Sequence, residues 1–187
     1  MTLFEYVTVA VSLVISMCVV RLLDGLRFAA ARERRYWVHF LWVVTKLLNC
    51  ALYWWGLWAA QESASWNFAT FMWVLLFPGT LYLQCTALVT TTPAEVPAWR
   101  DHFYGIRRWF FAINLVLVAH VLLSSAILLA VPLFDVSRLP LAVVFLLNVL
   151  GLASANPRLH GVLVIIALIT NVLGFGAVWF QPGESSV

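Results

Sequence analysis

Lys46 is the only lysine in the chain, and it lies about ten residues into an apolar run. At ~1.5 Å per residue that depth is near the centre of a bilayer, where a lysine facing lipid costs about 2.5–3.5 kcal/mol on insertion scales. Its ammonium therefore has to face protein, a polar cavity or a partner subunit. His39, Trp42, Lys46, Asn49 and Tyr53 follow one another in steps of three and four residues, so they share one stripe of a helix. An intramembrane cation without a paired acid favours anions.

Other apolar runs carry polar residues at comparable depth: Ser12 and Ser16, Thr80 beside Pro78, His120, Asn148, and Thr170 with Asn171. Taken one at a time, each is accounted for by an interhelical hydrogen bond worth about 0.6 kcal/mol. Taken together they predict a polar layer around Lys46, with His120 and Asn148 its best neighbours by depth. The acids lie elsewhere. Glu5 is at the outer end of the first run, on one face with Thr8, Ser12 and Ser16, and Asp24 is just past the inner end. Glu5 suits an outer vestibule leading towards Lys46 or a hydrated interfacial acid, and a carboxylate proton relay has no support.

Cofactor and enzyme chemistry are equally thin. His39 and His120 would stand ~13 Å apart along the membrane normal, too far to share a haem iron. Cys18, Cys50 and Cys85 all fall in apolar stretches without metal-type spacing, which predicts free buried thiols. No HExxH, Walker loop or nucleophile elbow occurs. The expectation is no catalytic residue, no metal and no cofactor.

The elements that must position Lys46 follow from composition. Hydrophobic residues make up 64% of the 187 and charged ones 10%, against about 45–50% and 25% in a soluble domain. Apolar runs at Leu3–Leu23, Tyr36–Ala60, Phe68–Val89, Trp109–Leu133, Leu139–Ser154 and Leu159–Phe180 are each near the ~20 residues needed to span. The prediction is an all-α polytopic membrane bundle of about six helices, a single transmembrane domain over residues 1–187. Met1 to Val20 has no basic residue and is followed by Arg21, which predicts a retained span rather than a signal peptide.

Nine arginines fall in or beside the odd-numbered connections, against Arg138 alone in the even-numbered ones. The positive-inside rule places the odd connections in the cytoplasm and both termini outside. Aromatic residues near several run ends fit interfacial belts. In the third connection, Thr92-Pro93-Ala94-Glu95 has the form of a capping box, and Val96, Trp99, Phe103 and Ile106 recur at helical spacing. That predicts a short interfacial helix over Pro93–Ile106, or else a cytoplasmic extension of the fourth span.

The motifs Phe4-Glu5-Tyr6, Arg21-Leu22-Leu23, Tyr36-Trp37-Val38-His39-Phe40, Tyr53-Trp54-Trp55 and His102-Phe103…Arg107-Arg108-Trp109-Phe110-Phe111 together resemble a family of small bacterial inner-membrane proteins. The resemblance covers most of the chain and implies a multi-pass bacterial inner-membrane location, with no activity, ligand or site attached.

Three functions compete. The first is a small-solute or ion pathway, an anion channel or transporter, with Lys46, Asn49, His120, Asn148, Asn171, Ser16 and Glu5 as pathway residues in a monomer or homo-oligomer. The second is a non-catalytic scaffold or sensor that binds a cytoplasmic protein or anionic lipid through Arg32, Arg34, Arg35, Trp99, Arg100, Arg107 and Arg108. Third comes an enzyme acting on a lipid or quinone. Membrane lipid is a partner in all three and nucleic acid in none. Val43-Val44…Leu47-Leu48-Asn49 and Val143-Val144…Leu146-Leu147-Asn148 hint at an inverted repeat, but their spacings differ by one residue, and chance in Leu/Val-rich sequence accounts for them.

Overall fold

The computed structural model describes residues 2–31, 35–58, 61, 66–128, 130, 132–133 and 135–179, with the side chains of 174–179 left out. Among these residues there are six long helices and no strand. α1 (Leu3–Ala29) opens on a capping box, in which the Thr2 side chain accepts from the Glu5 N–H and Glu5 accepts from the Thr2 N–H. α2 spans Trp37–Leu57. α3 (Phe68–Leu88) is capped by Asn67, whose side chain accepts from the Thr70 N–H. It contains Pro78, which removes one backbone donor from its middle.

α4 (Trp99–Leu128) is the longest, at 30 residues. α5 (Leu139–Ala153) follows a single 3-10 turn at Val136–Arg138. α6 (Pro157–Trp179) begins with proline at its first position, where the missing N–H costs nothing. The first five helices are long and apolar enough to cross a membrane, counting the turn before α5. The chain is a multi-pass membrane protein.

Chain order is not spatial order. α1 packs against α2 and α3, α3 against α4, α4 against α5, α5 against α6, and α6 returns to α2. The helices thus form a closed ring. Two glycines set its tightest crossings: a Cβ on Gly25 would run into Val89, and one on Gly151 would stand 2.5 Å from the Phe111 ring. At the end carrying most of the arginines, here the basic end, the carbonyl termini of α1, α3 and α5 come together. Each is closed by a side chain from another helix. Trp99 Nε1 donates to the Phe28 carbonyl at 3.0 Å. Arg21 Nε donates to Val89 at 3.0 Å, and His102 Nε2 donates to Ala87 and Leu88 at 3.2 Å. Arg107 donates to Gly151, Leu152 and Ser154 at 2.7, 2.9 and 2.6 Å, and His160 Nε2 also donates to Ser154. These terminal carbonyls have no partner within their own helix, and cations there oppose the negative end of the helix dipole.

Several expectations change accordingly. The helix predicted to begin at Thr92 begins at Trp99. Pro93–Glu95 is one 3-10 turn without a Thr92 side-chain cap, and Trp99 to Ile106 form the first two turns of α4. Trp99 and Phe103, which the interfacial helix would turn towards lipid or the bundle, are both fully buried against the bundle. Arg107, predicted to reach a partner or lipid, is 7% exposed and spends its guanidinium on α5. Arg35, Arg100 and Arg108 are exposed, while Arg32 and Arg34 lie outside the described residues.

Candidate functional site

The ring encloses a cavity of about 590 Å³ lined by α2 to α6 and by the 3-10 turn before α5, with no residue of α1. Lys46 is the tenth residue of the 21-residue α2. The stripe it shares with Trp42, Asn49 and Tyr53 is turned towards the cavity. Lys46 is 3% exposed. Its Nζ donates to Asn114 Oδ1 at 2.6 Å and to Asn49 Oδ1 at 3.1 Å, and it stands 5.6 Å from the centre of the Phe110 ring. Asn49 in turn donates to Asn171 Oδ1 on α6, whose own amide donates to Ala167. One ammonium thus links α2, α4 and α6 through three amides. Two hydrogen bonds to neutral acceptors and a ring face compensate part of the desolvation of a buried cation.

Asn148 of α5 is 3% exposed and also lines the cavity. Its Nδ2 donates to Val144, but its Oδ1 has no hydrogen-bond partner among the described residues. His120 lines the wall nearer the far end, stacked on Trp73 with centroids 4.6 Å apart, while Trp73 Nε1 donates to Ser124 Oγ. Tyr53 stacks on Phe77 at 4.0 Å and donates to the Val74 carbonyl. At the mouth, Arg138 donates to Ser125 Oγ and to the Pro132 carbonyl. Among the described residues, no Asp or Glu lines the cavity. Asp135 lies just outside it, where hydrogen bonds from Ser137 and then the charge of Arg138 hold its carboxyl below the usual carboxylate range.

Below Lys46, towards the basic end, the bundle is filled. Trp42 meets Phe110 and Phe111 at 5.1 and 5.5 Å. Phe111 stacks on His160 at 5.5 Å, and Phe103, Phe110, Phe111 and His160 are all fully buried. The cavity therefore ends on an aromatic layer one turn beneath the lysine.

Five of the predicted pathway residues, Lys46, Asn49, His120, Asn148 and Asn171, line this one cavity. Ser16 and Glu5 do not: Ser16 is exposed on α1, and Glu5 is engaged in the α1 capping box. Neither best candidate by depth bonds to Lys46, since Asn114 takes the place proposed for His120 and Asn148. His39 belongs to the same stripe but lies in the closed end, stacked on Trp99 at 4.6 Å, and neither ring nitrogen has a hydrogen-bond partner among the described residues. Compared with protein-family models, with characterised proteins and with solved structures, the chain matches none.

Proposed function

We propose that the cavity is a binding site for a small amphiphile whose negatively polarised oxygen rests at Lys46 while its apolar body lies along α3, α4 and α5, and that the chain carries such solutes across or into the membrane. The observation that carries this reading is the buried Lys46 ammonium at the floor of a mostly apolar cavity that no Asp or Glu lines among the described residues. Lysine supplies three donor hydrogens, and two neutral amide oxygens leave its charge uncompensated, so an anionic or carbonyl oxygen adds what the site lacks.

The aromatic layer under Lys46 favours a carrier over an open channel, because passage requires the layer to part. In the proposed orientation, with the arginine-rich end in the cytoplasm of a bacterial inner membrane, the cavity opens outward, and the exposed Arg35, Arg100 and Arg108 meet anionic headgroups. Octanoate is a suitable probe. Saturable octanoate binding and uptake in proteoliposomes are expected, and both are expected to fall at least tenfold in Lys46→Met, which retains its helical content. Equal binding by the variant, or none by the wild type, overturns the reading.

A further inference from the structure

The cavity wall holds a second cation besides Lys46. Among its described lining residues, the charged side chains are Lys46 at the floor and Arg138 at the mouth, and α4 measures the distance between them. Lys46 Nζ donates to Asn114 Oδ1 at 2.6 Å, and Arg138 donates to Ser125 Oγ. Asn114 and Ser125 both belong to α4, eleven residues apart, which is about three turns and ~16 Å along the axis. Whole turns return to the same face, so the two cations stand at the ends of one stripe. Leu117, Val118 and Val121 fill the stripe between them and line the cavity. A lone lysine at the floor suits an acid whose tail trails out of the mouth. An apolar stripe closed by a cation at each end suits a chain with an anion at each end. Asp135 feels the Arg138 charge, but its carboxylate accepts from the Ser137 N–H at 2.8 Å and lies outside the lining.

We propose that the ligand of this cavity is a slender α,ω-dicarboxylate, with one carboxylate at Lys46 and the other at Arg138, where it takes over the hydrogen bond now made to Ser125. The inference rests on the reading of the cavity as a site for amphiphiles with an anionic end, and it assigns the other end. Charge-assisted hydrogen bonds of ~2.8 Å at each cation take up part of the ~16 Å and leave ~10 Å between the carboxylate oxygens. At ~1.2 Å per bond, the advance along an extended chain, a diacid of roughly eight to ten carbons bridges the two. A shorter diacid leaves one charge against apolar wall without a partner, which is costly. The guanidinium presents a planar fork that matches both oxygens of a carboxylate, whereas the ammonium is a point charge that accepts many geometries. Arg138 is therefore the specificity-determining residue and Lys46 the common anchor.

The test measures equilibrium binding of octanoate, decanedioate and butanedioate to the full chain in phosphatidylcholine nanodiscs. Octanoate and decanedioate carry nearly the same amount of hydrocarbon, so a difference between them reports the second carboxylate. Decanedioate is expected to bind about tenfold more tightly than octanoate, and butanedioate at least tenfold more weakly than decanedioate. In Arg138→Gln the preference for decanedioate over octanoate is expected to vanish, and in Arg138→Lys to survive in part. Should Arg138→Gln fail to fold, the wild-type series decides alone. Octanoate binding as tightly as decanedioate overturns the two-ended ligand, makes Arg138 a headgroup anchor and leaves the cavity reading standing. Butanedioate binding as tightly as decanedioate overturns the spacing, and a preference that persists in Arg138→Gln overturns the seat at Arg138. Absence of binding by all three overturns the inference together with the cavity reading.

Discussion

Arg107 closes the carbonyl end of α5 with three hydrogen bonds from a 7% exposed guanidinium, so its substitution is a structural test. A hydrogen bond to a charged group contributes about 1.5–3 kcal/mol. Arg107→Leu is therefore expected to destabilise the bundle by about 3 kcal/mol or more and leave the last α5 carbonyls unpaired, read as a fall in melting temperature in detergent. Arg107→Lys keeps the charge but loses the fork of donors, and should recover only part of the loss. A variant as stable as the wild type would remove the capping role. In the sequence Arg107 and the exposed Arg108 are indistinguishable as neighbouring basic residues. The difference is a helix-face difference, and it becomes visible only when the start of α4 is placed correctly.

The same misplaced boundary explains why Asn114 escaped notice as the partner of Lys46. The apolar run suggested a span starting at Trp109, which puts Asn114 five residues inside and His120 near the middle. α4 starts at Trp99, ten residues earlier, or ~15 Å along the axis. Depth counted from the hydrophobic run was thus offset against the neighbouring helices. The Lys46 stripe was legible because one periodic helix carries it, whereas its partners depend on how three helices are set against one another.

At the scale of elements, the apolar runs locate the helices closely because each interior must satisfy its own backbone in lipid. The helix ends are less legible. α1 continues to Ala29, beyond the predicted Leu23, because amphipathic residues carry it past the hydrocarbon, and Gly25 permits its approach to Val89. The α4–α5 crossing gives a direct test. Gly151→Ala places a Cβ 2.5 Å from the Phe111 ring, whereas Gly56 has nothing within 4 Å. Overpacking of this kind costs about 1–3 kcal/mol. Gly151→Ala should lower the melting temperature measurably and Gly56→Ala should not. Equal effects would mean that α4 and α5 do not cross as described.

The turn that starts α5 has its own pH dependence. Asp135 accepts from the Ser137 N–H at 2.8 Å, and its carboxyl is held below the ordinary range. A depressed folded-state value stabilises the turn above the unfolded carboxylate range, and the contribution is lost as pH falls through the folded value. Amide protection factors at Ser137 and Arg138, which remove the intrinsic pH dependence of exchange, should fall on acidification, and Asp135→Asn should remove that fall. Unaltered protection factors in wild type across this range would show that the carboxylate does not hold the turn.

For the whole molecule, the closed ring and its aromatic layer predict access to the cavity from one side only. Ser124 and Ser137 line the cavity, on helices or turns whose ends lie away from the arginine-rich end. The native cysteines are buried, so a membrane-impermeant charged thiol reagent should leave the wild type unlabelled. In oriented membrane vesicles, Ser124→Cys and Ser137→Cys should be labelled from the face opposite Arg35, and added octanoate should slow the reaction at Ser124→Cys. A cysteine in place of Phe110, below Lys46, should stay unlabelled from both faces. Reporter fusions at Arg34 and Val187 fix the direction independently, with cytoplasmic signal expected at the first and periplasmic at the second. Labelling of Phe110→Cys from the arginine-rich face would mean that the layer is a gate already open there, and the one-ended cavity would give way to a through-pathway with Lys46 at its constriction.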